Sequence, residues 1–175
     1  LIPVTQVIAS PFALLAHPSL PVRTASDLLA LIRSKPGQIM YPSSGVGSAN
    51  HLAVVLLSRL AKIEPLHVPY KGTAQGIADL VAGQVQFSLN NPLTSLPLAR
   101  AGKLRLLATT GSKRLPLLSE LPTVSETVPG YESGNWHALA KIESEVKRIA
   151  DAGQMSVQIR RTEPRPVRAE MLPYS

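Results

Sequence analysis

The stretch Ser43-Ser44-Gly45-Val46-Gly47-Ser48 places two glycines and three hydroxyl side chains directly ahead of an apolar run that begins at Leu52. A turn of this kind at a helix start suits an anion. The first N–H groups of a helix have no partner within it, the helix end carries partial positive charge, and glycine lets a ligand approach the main chain closely. The hydroxyls of Ser44 and Ser48 add donors. The alternative is that the turn only joins a strand to a helix, with its glycines serving backbone angles. Nucleotide chemistry fits poorly, because Asn50 stands where a dinucleotide fingerprint has its third glycine and no acidic ribose partner follows at the usual distance. Neither Gly-Lys-Ser/Thr nor a Gly-x-Ser-x-Gly nucleophile elbow occurs.

His51 falls in the first turn of that helix, where an imidazole can donate to a bound anion or act as a base. A structural histidine bonded to the backbone is the favoured alternative, since no Ser-His-carboxylate set is visible and Asp27 and Asp79 both fall on helices. His17, His51, His67 and His137 lack metal-ligand spacing, so no metal site is predicted. Tyr70-Lys71-Gly72 offers a hydroxyl and a cation at a strand end, although an exposed loop lysine fits equally. Asn90 and Asn91 offer amide donors and acceptors at another strand end, where simple strand termination is the alternative.

The elements that must position these groups alternate. Val4 to His17 reads as an extended segment bent at Ser10-Pro11. Thr24 opens a helix in capping-box style with Asp27 at its third position, and Lys35-Pro36-Gly37 stops it. Gln38 to Tyr41 is a strand. A second helix follows from about Ala49 to Lys62, with Ser48 as N-cap and an apolar run Leu52 to Leu57 that predicts burial all round. Leu66 to Tyr70 is a strand, Thr73 caps a third helix ending at Gly83, and Gln84 to Leu89 is a strand. A short helix to Ala101 and a strand over Leu104 to Thr109 complete a β-α-β-α-β-α-β order. Such alternation predicts an α/β fold: an open, mostly parallel sheet with helices on both faces, whose ligands bind beyond the carboxyl ends of the strands. The loops Ser43 to Ser48, Tyr70 to Thr73 and Asn90 to Thr94 should therefore converge. Beyond Gly111 the chain is Pro-rich loop with a short helix near Val124 to Thr127. Glu143 to Ala152 reads as helical, and residues 159–175 as a disordered tail.

Composition narrows the classes. A chain of 175 residues with 45% hydrophobic and 17% charged residues suits one globular domain. Absence of cysteine excludes disulfides and thiolate chemistry. No apolar run reaches the roughly 18 residues of a spanning helix, so no membrane insertion is predicted. The net charge of +7 arises entirely in residues 1–120, which carry eleven Lys/Arg against four Asp/Glu; residues 121–175 carry seven of each. That excess attracts anions, but the basic residues are scattered and aromatics scarce, which argues against nucleic acid as a partner.

The ordered set Tyr41-Pro42-Ser43-Ser44-Gly45-Val46-Gly47-Ser48, His51-Leu52, His67-Val68-Pro69-Tyr70-Lys71-Gly72, Gly83-Gln84-Val85, Gly102 to Ala108, Leu121-Pro122-Thr123-Val124 and Pro129-Gly130-Tyr131 resembles the Bug-type receptors of tripartite tricarboxylate transporters. The resemblance implies a periplasmic-binding-protein type II-like lobe, in the manner of a two-lobed flytrap that holds a carboxylate by main-chain amides and bridging waters. It implies ligand contacts from Ser44, Gly45, Gly47 and Ser48, with His51, Tyr70, Lys71 and Asn90 near the cleft. Many relatives have Asp where this chain has Asn90, which leans away from a ligand bearing an ammonium group. Such receptors are nearly twice as long, so residues 1–136 read as the second lobe of a truncated receptor, residues 137–158 as a remnant of the closing helix, and residues 159–175 as tail. The expected function is noncatalytic, periplasmic capture of a small mono- or dicarboxylate for a membrane permease, without cofactor. The rivals are an enzyme or ligand-sensing lobe on the same sheet, and a nonfunctional truncated product.

Overall fold

The computed structural model describes residues 2–141. Strand β1 (Ile2–Pro11) leads without a turn into β2 (Ala13–Ala16), followed by α1 (Ala25–Ser34), β3 (Met40–Ser43), α2 (Ala49–Ala61), β4 (Leu66–Pro69), α3 (Thr73–Val81), β5 (Phe87–Asn90), α4 (Pro92–Arg100) and β6 (Arg105–Thr109). Two short 3-10 turns, Pro116–Leu118 and Val124–Glu126, precede β7 (Gly134–Lys141), which pairs with β1. Thr5–Leu139 form one compact unit, and the described ends of β1 and β7, residues 2–4 and 140–141, fall outside it. Strand β7 carries the chain through the start of the segment in which the sequence predicts a closing-helix remnant. The remainder of that segment, including the helix at Glu143 to Ala152, and the tail lie outside the described residues.

Helix α1 forms for the local reason visible in its first turn. Thr24 Oγ1 accepts from Asp27 N at 3.1 Å, while Asp27 Oδ2 accepts from the N–H groups of Thr24 and Arg23, each at 2.9 Å. Those two N–H donors and the Thr24 hydroxyl hold the Asp27 carboxyl below its ordinary range. Ala25, Leu28, Leu29 and Ile32 then face inward. Thr24→Ala should therefore cost about 1 kcal/mol in a chemical denaturation experiment, with the slope of the transition unchanged.

The centre of the Thr5–Leu139 unit is β2. It pairs antiparallel with both β5 and β6, in the order β5-β2-β6, with Leu14 opposite Leu89 on one side and Ala108 on the other. Strands β5 and β6 therefore run in one direction, β3 and β4 pair in parallel, and β2 opposes both of its neighbours. Gln86 links the two sheets: its N–H donates to Met40 O at 3.0 Å, its Oε1 accepts from Met40 N at 2.8 Å, and its carbonyl accepts from His17 N at 2.9 Å. Strands β3 and β5 begin later than the sequence predicts. Gln38 and Gln84 are used in closing turns after left-handed Gly37 (φ 68°) and Gly83 (φ 77°).

Alternate residues of β2 face opposite sides, and each side is covered. Phe12 and Leu14 join Leu28 and Ile32 of α1, Val54 and Leu57 of α2, and Tyr131 in one core. Ala13 and Leu15 join Leu80 of α3 in the other, against which Leu98 of α4 packs. Helix α2 departs from expectation. Ala53, Val54, Leu57 and Ala61 are buried, but Leu52, Leu56 and Leu60 are 55%, 38% and 43% exposed. A single helix laid on a sheet can bury only one stripe, so an apolar composition all round does not produce burial all round. Helix α3 also differs: its N-cap is Gly72, extended at φ −176°, and Thr73 is its first helical residue rather than its cap.

Candidate functional site

The carboxyl ends of β3 and β5 open on a cleft of about 260 Å³. Ser44 reaches it from the loop after β3, Ala49 and Asn50 from the first turn of α2, and Thr73 from the start of α3. Asn90 ends β5, Asn91 caps α4, and Asn135 enters from β7; Phe12 and Leu89 supply the apolar floor. Of the residues singled out from sequence, Ser44, Asn90 and Asn91 line this cleft. Gly45, Gly47, Ser48, His51, Tyr70 and Lys71 stand outside the lining.

The glycine turn is closed upon itself. Gly45 N donates to Ser43 Oγ at 3.1 Å, Ser48 N to Gly45 O at 3.2 Å, and Gly47 N to His51 Nδ1 at 3.2 Å. Ser48 Oγ lies 2.6 Å from Gly45 O. Both glycines have left-handed φ values, 122° for Gly45 and 81° for Gly47, which a side chain would strain. His51 thus braces the turn through its backbone. Tyr70 turns along α3, where its hydroxyl donates to Asp79 Oδ2 at 2.6 Å; that bond to a carboxylate pushes the phenol up to about 12. Lys71 is exposed on its loop.

Asn50 is the organising residue that the sequence analysis passed over. Its Oδ1 accepts from Ser44 Oγ at 3.2 Å and from His51 N at 3.1 Å, with Ser44 N at 3.4 Å and Ser48 Oγ at 2.8 Å also in reach. With the oxygen so committed, the Nδ2 donor is the half of the amide left for the cleft. The signal was present: an asparagine two positions after a serine cap, preceded by further serines. Asn91 is occupied differently, its Oδ1 accepting from Leu93 N at 2.9 Å to cap α4. No Asp, Glu, Lys, Arg or His occurs among the described lining residues. Among the described residues no group of three or more potential metal ligands exists, and no helix is long and apolar enough to cross a membrane.

Behind the turn lies an aromatic stack: the rings of His51 and His67 are 4.3 Å apart, those of His67 and Tyr41 5.1 Å, and those of Tyr41 and Phe87 5.6 Å. His67 Nε2 sits 2.6 Å from Ser43 Oγ. Burial, and secondarily the neighbouring His51, holds the His67 imidazole below its ordinary 6.5. Its folded state therefore prefers the neutral ring. The stability this contributes is fully present above the unfolded value and is lost as pH falls through the folded one. Denaturation midpoints should drop between pH 7.5 and 5, and His67→Gln should flatten that part of the profile.

A single central strand opposed to its neighbours, helices on both faces, and a polar cleft at the strand ends define one lobe of a type II-like periplasmic binding protein. The chain belongs to the tripartite tricarboxylate transporter receptor family, whose model matches residues 1–168. It is 34% identical over 137 residues to the UPF0065 protein of the tcbD-tcbE intergenic region in Pseudomonas sp. strain P51, a match covering 77% of this chain and 41% of that one. Among solved structures it is similar to R. palustris Rpa4515 with adipate, at 36% identity and a TM-score of 0.75 over 86% of this chain and 52% of that one. It is also similar to MatC from Rhodopseudomonas palustris with bound malate, at 30% identity and a TM-score of 0.72 over 78% of this chain and 47% of that one. The chain thus spans about half the length of the relatives it matches.

Proposed function

We propose that this chain is the solute-binding lobe of a periplasmic receptor that captures a small carboxylate, without chemical conversion, for a membrane permease. The cleft itself carries this reading: a concave site with no charged side chain among its described lining residues, set at the starts of two helices. In this reading the donors for one carboxylate are the main-chain N–H groups of Ala49 and Asn50, Asn50 Nδ2 and the Thr73 hydroxyl, all on lining residues. Family membership and the carboxylates held by similar structures support the same ligand class. Nothing in the described lining resembles a nucleophile with its base, so an enzyme lobe finds no support in the site. Two-lobed receptors close on a ligand and draw affinity from both sides, so this lobe alone should bind weakly. Amide NMR titration with a panel of small mono- and dicarboxylates tests the reading. Saturable shifts at Ala49, Asn50 and Thr73 are expected. A dispersed spectrum that no carboxylate perturbs at those residues would overturn it.

A further inference from the structure

We propose, resting on the receptor reading above, that the cleft continues past Asn135 into a second compartment, where the Gly111-Ser112-Lys113 loop receives the far carboxylate of a long dicarboxylic acid and Lys113 is its cationic partner. A cavity of about 560 Å³ lies beside the cleft, and Asn135 lines both. Pro11 borders the larger space, and Phe12, the next residue, borders the smaller one. All of these residues belong to the Thr5–Leu139 unit. Three segments are bolted together to frame the larger compartment. Phe12 N donates to Thr110 Oγ1 at 2.7 Å and Thr110 N to Phe12 O at 2.9 Å, while Thr110 Oγ1 donates to Ser133 O at 2.6 Å and Ser133 N to Thr110 O at 3.0 Å. A Cβ on Gly134 would lie 2.9 Å from Ser10 O, so the two backbones meet at a separation that only glycine allows.

On that frame the loop after β6 carries donors that the protein does not use. The N–H groups of Gly111, Ser112 and Lys113, the Ser112 hydroxyl and the Lys113 ammonium have no partner among the described residues. Arg114 is committed: its Nε and Nη2 hold the Glu126 carboxylate at 2.9 and 2.7 Å, and its Nη1 reaches Ser119 O at 3.3 Å. It anchors the loop and leaves Lys113 as the uncommitted cation. The Lys113 side chain is exposed, and a flexible four-carbon stem with three donors needs no single rotamer to bring its charge over the compartment. The cleft, by contrast, has no charged side chain among its described lining residues. A single carboxylate held there leaves the second set of donors to water. A second carboxylate satisfies them if the chain between the two is long enough to pass Asn135, with Phe12, Pro11 and Leu115 as apolar surface for its methylenes. Glu132, also in the lining and without an ion-pair partner among the described residues, opposes that carboxylate by like charge.

Amide NMR titration of the full chain with the unbranched diacids from succinate to suberate, each beside its monomethyl ester, tests this. The ester keeps the chain and one carboxylate and removes the second charge. Every acid should shift Ala49, Asn50 and Thr73. The longer diacids should also shift Gly111, Ser112 and Lys113, and should bind about three- to tenfold more tightly than their esters, the worth of one exposed, charge-assisted contact. That advantage should shrink as salt is raised from about 0.01 to 0.15 M. Lys113→Ala should bring each long diacid to within about twofold of its ester without changing the ester, and Glu132→Gln should widen the gap in the opposite sense. Thermal melts establish that the variants fold, and Lys113→Gln serves if the alanine is not tolerated. Long diacids no tighter than their esters, or an advantage that survives removal of the Lys113 charge, would overturn the assignment while leaving the receptor reading standing. No response to any acid would sink the receptor reading and this assignment with it.

Discussion

Asn50→Asp should weaken carboxylate binding by at least about a hundredfold while leaving the lobe as stable as before, or more so. The substitution keeps the oxygen that accepts from Ser44 Oγ and His51 N, so the glycine turn retains its anchor. A carboxylate in the first turn of α2 also complements the positive end of that helix, worth about 0.3–1 kcal/mol. The same change replaces the donor left for the cleft with a negative charge. Like charges brought together in a recognition site cost several kcal/mol, which is two or more decades in affinity. Opposite signs for stability and binding separate this outcome from general damage. Titration with succinate beside a thermal melt reads both, and a loss of under threefold would place the carboxylate elsewhere.

Gly76→Val should destabilise the lobe by about 2–3 kcal/mol and displace the start of α3. Glycine within a helix is ordinarily unfavourable by about 1 kcal/mol relative to alanine, so replacing it would normally help. Here a Cβ would lie 2.8 Å from Pro42 Cβ and 3.4 Å from Pro42 Cγ, atoms of a ring that cannot rotate aside. Overpacking of that kind costs about 1–3 kcal/mol and exceeds the propensity gain, and the two extra methyl groups of valine place it at the upper end. Helix α3 must then lift from β3, taking Thr73 away from the cleft. Denaturant midpoints should fall, and Thr73 should no longer respond to carboxylates. A variant of unchanged or raised stability would mean that the contact between α3 and β3 is loose.

Some of this was legible because it is local. The capping box at Thr24 and Asp27, the stop at Gly37, the Ser48 N-cap position and the convergence of loops at strand ends follow from short-range chemistry and alternation alone. The direction of β2 was not legible, because strand polarity depends on which distant strands it meets. The burial of α2 was overstated since composition does not say how many sides of a helix are covered. Within the site, glycines and serines drew notice as carriers of N–H and hydroxyl groups, yet their donors are largely consumed in shaping the turn. Asn50 carries no such signal in its residue type, and only the partners of its amide decide which atom it keeps for the cleft.

The opposed central strand also sets the order in which the chain can be completed. Phe12 N donates to Thr110 Oγ1 across 98 positions, and among the described residues β2 has β5 and β6 as its sheet partners. At elongation rates of roughly 5–20 residues per second, the ribosome needs about 5–20 s to deliver the last of those partners after β2 has emerged. Through that interval Ala13 to Ala16, wholly buried in the finished lobe, is an apolar strand with two unpaired edges. A nascent chain arrested before Phe87 should therefore engage a holdase chaperone at β2, and one extended past Thr109 should let go.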